Sequence, residues 1–273
     1  MDKSDLLLGQ QVASPERYSP DILTPIPRAL GREGLSSTEF NGLDVWYAWE
    51  LSWLNEQGIP QVRVGRFCMD ARSPNIVESK SLKLYLNALN NERYRNDATV
   101  IALIESDLGS AVGAAVTVEL FAVDDQVLAP QTPQGLCIDG LAPGDTPRAP
   151  VADCLCVEES AGMIEQALYS HLLRSLCPVT GQPDWATLTV AYRGKPIEQS
   201  ALLAYVLSYR CHQGFHEQCV EQIFADIDAR CRPEALLVQA NYTRRGGLDI
   251  NPARWKNWKQ QGIGALNGRL ARQ

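Results

Sequence analysis

Hydrophobic positions along the chain switch between a strand period and a helical period, and the whole succession occurs twice. Residues 43–54 and 61–69 read as strands. Leu82, Tyr85, Leu86 and Leu89 then fall at i, i+3, i+4 and i+7, and Ile101, Ile104 and Leu108 repeat that stripe more weakly before a third strand at 116–121. The second pass has strands at 167–176, 186–193 and 235–242. Between the last two, one helix carries Leu202, Tyr205, Val206 and Tyr209, and the next carries Val220, Ile223, Phe224 and Ile227. In 186–193, Leu188, Val190 and Tyr192 face one side and Thr187, Thr189 and Ala191 the other, the pattern of a half-buried strand.

A Pro/Gly-rich stretch separates the two passes. The pattern predicts an N-terminal extension over 1–35, a first module over 36–130, a linker over 131–150 and a second module over 151–273. Landmarks recur in step: Tyr47 precedes Glu78 by 31 positions (78 − 47) and Tyr169 precedes Glu198 by 29 (198 − 169). Tandem β-β-α-α-β units with helices on one face of an antiparallel sheet place the chain in the α+β class, as a duplicated module rather than a solenoid.

Composition narrows the function classes. A length of 273 residues at 45% hydrophobic content is enough for a full core. The net charge of −7 and pI near 5.1 argue against direct nucleic-acid binding, which gains from a basic face. Residues 1–32 are polar and interrupted by Pro15, Pro20, Pro25 and Pro27, without the apolar core of a secretion signal, and no apolar run reaches membrane-spanning length. The chain reads as cytoplasmic, with no membrane partner. Its eight cysteines then read as free thiols, and Cys154-Leu155-Cys156 has the wrong spacing for a zinc knuckle.

Chemistry concentrates in Ser175-Leu176-Cys177-Pro178-Val179-Thr180-Gly181-Gln182-Pro183-Asp184-Trp185, which sets a thiol and a carboxylate on one short turn at a sheet edge. Between a strand end and Gly181, an exposed thiol is easier to present than in a helix core. Asp184 is equally at home as a turn residue. Phe215-His216-Glu217 follows Gly214, so Glu217 opens the second helix of its pair. Glu78-Ser79-Lys80 opens the first helix of the first module, and Tyr242-Thr243-Arg244-Arg245-Gly246-Gly247 follows the last strand.

Over most of residues 36–260 these blocks resemble the NADPH-dependent 7-cyano-7-deazaguanine reductases, nitrile reductases of queuosine biosynthesis, in their two-module form. The resemblance implies the tunnelling fold, whose modules join into barrels. It implies that Cys177 forms a covalent thioimide and that Asp184 donates the proton to the nitrile nitrogen. A nitrile carbon accepts hydride poorly and a protonated thioimide well, so the pairing divides one hard step into two easier ones. The resemblance also places Val77, Glu78, Ser79, His216 and Glu217 on the deazaguanine substrate, and Ser79, Lys80, Arg245 and Gly246 on NADPH. A carboxylate suits the base's N–H edge, the N-terminus of a helix suits a phosphate, and an arginine can fork onto the 2′-phosphate. No G-x-G-x-x-G follows a strand, so the cofactor site is not of the Rossmann type.

No resident metal is expected. The main alternative is a zinc-dependent pterin or purine cyclohydrolase of the same fold, resting on Cys211, His212, His216 and Cys219, with the two histidines at i, i+4. A further alternative is a non-catalytic purine-binding protein. Because the first module holds Glu-Ser-Lys and the second holds the cysteine, aspartate and His-Glu, the division predicts a homodimer in which each chain supplies both modules and Glu78 and Cys177 serve one pocket.

Overall fold

The computed structural model describes residues 15–37, 39–258, 264 and 266–273. In chain order the elements are β1 (Pro25–Pro27), α1 (Ala29–Arg32), β2 (Asn41–Leu54), β3 (Pro60–Asp70), β4 (Asn75–Val77), α2 (Ser79–Ala88), α3 (Asp97–Val112), β5 (Val116–Phe121), β6 (Leu136–Cys137), β7 (Ile164–Leu176), β8 (Pro183–Gly194), α4 (Gln199–Ser208), α5 (His216–Cys231), β9 (Ala235–Tyr242) and β10 (Leu248–Lys256). Among the described residues no helix is long and apolar enough to cross a membrane.

Two compact units form, each discontinuous in sequence. The first takes the chain up to Leu30 with Asp44–Ala129 and Arg244–Ile250; the second takes Gly31–Leu43, Pro130–Thr243 and Asn251–Gln273. In the first, β2 lies beside β3 and β3 pairs antiparallel with β5, from Val64↔Phe121 to Met69↔Val116. The stripe on α2 (Leu82, Tyr85, Leu86) and that on α3 (Val100, Ile104, Leu108) close over Trp46, Ala48, Trp53, Phe67 and Met69, forming one core. In the second unit the strand order is β10-β9-β8-β7-β6. There α4 and α5 bury Leu202, Tyr205, Val206, Val220, Ile223 and Ile227.

The duplication extends to individual hydrogen bonds. Tyr85 on α2 donates its hydroxyl to Asp107 on α3 at 2.6 Å, and Tyr205 on α4 donates to Asp226 on α5 at 2.5 Å. Leu54, ending β2, bridges in parallel to Arg93, as Leu176, ending β7, does to Gln213. Glu78 caps α2 and Glu198 caps α4, each carboxylate accepting from backbone N–H groups of the first turn.

Several expectations need correction. The strand at 186–193 is not half-buried: Thr187 and Thr189 are as enclosed as Leu188 and Val190. A C-terminal segment covers their face, with Asn267 donating to Thr189 at 2.9 Å and Arg272 to the carbonyl of Ala186 at 3.1 Å. Of the two strands that meet at the Cys177 turn, β8 is an inner strand between β7 and β9, so the edge reading applies on the Cys177 side alone, where β6 reaches β7 only at Leu168 and Tyr169. The stretch read as a linker is built into the second unit: β6 pairs parallel with β7, Ile138 is buried, and Asp139 accepts Ser170 Oγ at 2.6 Å. The stretch read as an N-terminal extension contributes β1, which pairs antiparallel with β4 in the first unit; residues 1–14 lie outside the described residues.

Candidate active site

In the second unit, the β7–β8 hairpin sets the thiol and the carboxylate by register. Ser175 lies opposite Asp184 and Leu176 opposite Pro183, and Cys177 N–H donates to the carbonyl of Gln182 at 2.8 Å, continuing the ladder one step. Two residues beyond Ser175 on the same face, Cys177 is the diagonal cross-strand neighbour of Asp184, a relation that separates Cα atoms by about 7–8 Å. The intervening turn closes with Gly181 N–H on the carbonyl of Cys177 at 2.9 Å, and its φ of +68° is one that glycine adopts freely.

That closure also hides the thiol. Cys177 is only 2% exposed, not presented openly as the sequence suggested, and Thr180 N–H points at Sγ from 3.4 Å. An N–H aimed at sulfur stabilises negative charge there, and enclosure keeps bulk water from the thiol.

The N-terminus of α5 brings in the other groups. Phe215 is its N-cap residue, with Gln218 Oε1 accepting the Phe215 N–H at 3.1 Å, so His216 and Glu217 occupy the first turn. Both are buried. His216 Nε2 lies 3.3 Å from Asp184 Oδ2, and its ring stacks on Tyr242 with centroids 3.7 Å apart at 7°. The structure thus gathers Cys177, Asp184, His216 and Glu217 about one hairpin end. Tyr242, given no role in the sequence beyond the end of a strand at 235–242, belongs with them.

Cys219 lies in the same region and is chemically different. Burial pushes its thiol up to about 12, and the charges of Asp184 and Glu217 add to this, so it stays protonated. Burial likewise raises Cys231 to about 12 and Cys68 to about 11. All eight cysteines are free, and three of them are buried.

The first unit assembles a separate set of groups. Glu78, 1% exposed, accepts Lys80 N–H at 2.7 Å and Ser81 N–H at 2.8 Å. Its position is locked from behind by the N-terminal segment: Glu78 N–H donates to the carbonyl of Thr24 at 2.9 Å, and Thr24 N–H to Ser81 Oγ at 3.0 Å. Val77 ends β4 and is buried, and Ser79 starts α2. Burial pushes the Glu78 carboxyl up, against the opposing pull of the two backbone N–H groups and of Lys80 and Arg245. Glu198, its counterpart in the duplicate, is shifted the other way, held down chiefly by the Ser200 hydroxyl.

Arg245-Gly246-Gly247-Leu248 is a two-residue hairpin turn. Arg245 and Leu248 exchange backbone hydrogen bonds at 2.8 and 3.0 Å, and both glycines have positive φ, +57° and +80°. The φ of +80° at Gly247 is one that L side chains rarely adopt, and a Cβ there would also have to displace the Glu50 carboxyl, 2.5 Å away. The turn lies against α2, where a shallow cleft is lined by Glu50, Lys83, Asn87, Gly246 and Gly247. Lys83 pairs with Glu50 at 3.2 Å.

These residues fit an anionic nucleotide group. Lys80, Lys83 and Arg245 supply positive charge around a turn whose backbone a ligand can approach closely. The helix terminus itself is a weaker attraction than expected: the Glu78 carboxylate already caps Lys80 and Ser81, so phosphate recognition falls to the side chains.

The zinc reading loses its geometry. His212 follows a single helical turn at Tyr209–Cys211 and His216 begins α5, so the two do not share a helix face. Among the described residues no group of three or more His, Cys, Asp or Glu side chains is arranged to hold a metal ion.

Two protein-family models match the chain. One, described as nitrile reductase, 7-cyano-7-deazaguanine-reductase N-term, covers residues 14–120; the other, described as QueF-like protein, covers 183–261. A protein of Acinetobacter baumannii (strain ACICU) named NADPH-dependent 7-cyano-7-deazaguanine reductase is 51% identical over the full length of both chains. Its namesakes in Saccharophagus degradans and Chromohalobacter salexigens are 52% identical over 92% of this chain and 94% of theirs, and 49% identical over 90% of each. The apo crystal structure of the archaeosine synthase QueF-Like aligns with 37% of this chain and all of its own at 16% identity, with a TM-score of 0.32, too low to bear on the fold. With full-length identity near one half to these proteins, the chain belongs to the family of NADPH-dependent 7-cyano-7-deazaguanine reductases.

Proposed function

We propose that the chain reduces the nitrile of 7-cyano-7-deazaguanine to the 7-aminomethyl compound, a step of queuosine biosynthesis, through a thioimide on Cys177. The observation that carries this reading is the convergence of Cys177, Asp184, His216 and Glu217 on the end of the β7–β8 hairpin.

The Cys177 thiol adds across the carbon–nitrogen triple bond, forming a C–S bond, while Asp184 delivers a proton to the nitrile nitrogen; the thiol proton makes up the balance. Asp184 is held for this by the adjacent His216. Glu217 takes the N–H edge of the base, and Glu78, which keeps unused lone pairs beside its two cap bonds, contributes a second acceptor. NADPH, when bound, would supply one hydride, and two molecules in turn would supply the two hydrides of this four-electron reduction. Lys80, Arg245, Gly246 and Ser79 are the residues proposed to hold it. After the first reduction the C–S bond breaks, returning Cys177 and leaving an imine at carbon. The reading includes a homodimer of two-module chains acting in the cytoplasm on a small molecule, with neither nucleic acid nor membrane as direct partner.

The test is intact-protein mass spectrometry after mixing with the nitrile and no cofactor. A mass gain equal to the nitrile, mapped to Cys177 and lost in Cys177→Ala, is expected. Absence of an adduct would leave purine binding without covalent chemistry, and its survival in the variant would move the nucleophile to another residue.

A further inference from the structure

We propose that Tyr242 is the positioning residue of His216, its ring holding the imidazole beside Asp184. This rests on the functional reading above and adds a residue that it leaves unused. Asp184 is the second residue of β8 and Tyr242 ends β9, and the pairing Ala186↔Tyr242, continued by Thr243 N–H on the carbonyl of Trp185 at 2.8 Å, fixes one strand end against the other. His216 comes from elsewhere, the first residue of α5. Its ring lies between two groups whose places are set by that register, with the Asp184 carboxylate at 3.3 Å on its edge and the Tyr242 ring at 3.7 Å, 7° from parallel, on its face. A carboxylate alone constrains one ring nitrogen and leaves the ring free to tilt; a parallel partner removes that freedom.

The ring carries this role, not the phenol. Tyr242 is fully buried, with its hydroxyl beside Ser175 and Cys219, neither of which belongs to the His216–Asp184 pair. Phenylalanine should therefore replace it, and an aliphatic residue should not.

The experiment compares wild type, Tyr242→Phe, Tyr242→Leu and Tyr242→Met for the rate of covalent adduct formation with 7-cyano-7-deazaguanine, each also in a His216→Ala background. Phe is expected to stay within about twofold of wild type and Leu and Met to slow by about tenfold or more, with no further slowing once His216 is gone. Equal slowing in both backgrounds, or a Leu variant as fast as wild type, would overturn the proposal. Should the aliphatic variants fail to fold, proton NMR of the wild type decides it. With three histidines in the chain, His216 is assigned by its loss in His216→Ala, and its ring protons should be shifted upfield by the stacked ring. Unshifted protons overturn the stack. A wild type that forms no adduct, by contrast, defeats the functional reading and leaves the ring-current result standing.

Discussion

Glu78 serves the fold and, in our reading, the substrate, and the duplicate offers the control that separates the two. Replacing it with alanine strands two first-turn N–H groups, those of Lys80 and Ser81, in a site that is 1% exposed. Loss of a helix N-cap costs about 0.5–2 kcal/mol, and two buried donors place this case near the upper end. For a chain of this size, that corresponds to a fall in melting temperature of about 4–8 °C. Glu198→Ala removes one such bond, to Ala201 N–H at 3.0 Å, from a partly exposed site, and should fall by roughly half as much. Glu78→Gln keeps one cap acceptor and should lose less than alanine. Because burial raises the Glu78 carboxyl in the folded state, its contribution is full at low pH and is lost as pH rises through that value, so at neutral pH glutamine also removes a costly charge. Nitrile affinity should follow a different order. Both Glu78 variants lose an acceptor for the base, about 1–3 kcal/mol or roughly fivefold to 150-fold in Kd, whereas Glu198→Ala loses nothing. Calorimetric melting and nitrile titration read the two quantities separately. Wild-type affinity in both Glu78 variants, or equal weakening in Glu198→Ala, refutes the argument.

Arg245→Ala should raise the KM for NADPH far more than that for NADH, since only NADPH carries the phosphate that a guanidinium would pair with; equal effects would reassign the residue. Glu221 is 1% exposed between Arg32 at 2.7 Å and Arg254 at 2.8 Å, and although burial pushes its carboxyl up, the two guanidinium groups outweigh this and hold it low. Glu221→Gln should cost about 3–5 kcal/mol at pH 7. The loss should shrink as pH falls below the ordinary carboxylate value of 4.5, because the stabilisation is present above that value and disappears through the lowered folded one; a pH-independent difference in denaturant midpoint would contradict it. In solution the protein should have twice the 30.1 kDa chain mass, and a stable monomer with full activity would overturn the assembly argument, while mixing Glu78→Ala with Cys177→Ala chains reports whether one active site draws on two chains.

The hydrophobic period located every long helix and most strands, because each presents one face to a core: α5 contains its expected stripe, those of α2 and α4 run one residue past the helix end to Leu89 and Tyr209, Val100 rather than Ile101 completes the buried face of α3, and β5 and β9 have the expected limits. The strand β10 went unread. Leu248–Lys256 carries Pro252 in its middle and has eight of nine residues buried, so it shows neither the composition nor the alternation that marks a strand. The C-terminal cover over Thr187 and Thr189 was hidden for a related reason, since threonine faces read as solvated until another segment supplies partners. At the site, residue types were legible and proximities were not. Cys177 and Asp184 lie on one turn, but the approach of His216 to Asp184, and of Tyr242 to His216, depends on where α5 starts over the ends of β8 and β9, a long-range consequence that local patterning does not encode.

The duplicate shows how little of the module had to change to acquire chemistry. Scaffold groups are kept in both copies: the glutamate cap, the tyrosine bonded to an aspartate on the next helix, and the leucine bridge that ends the first strand. The residue after that leucine differs. In the first unit it is Asn55, whose carbonyl oxygen accepts Gln57 N–H at 3.0 Å and Ile59 N–H at 2.9 Å and so closes the turn itself. In the second it is Cys177; both turns carry the same kind of backbone pair, Asn55 with Ile59 and Gly58 in one and Cys177 with Gln182 and Gly181 in the other, but Sγ accepts one further N–H, that of Thr180 at 3.4 Å. The second residue of the following strand is Gln61 in one copy and Asp184 in the other, and the first residue of the later helix is Asp97 in one and His216 in the other. The turn one residue longer therefore leaves its first side chain with a single, longer contact where asparagine has two. In our reading the same rigidity that suits asparagine to closing a turn aims the cysteine at the nitrile, since a reacting group gains most from a frame that does not have to move.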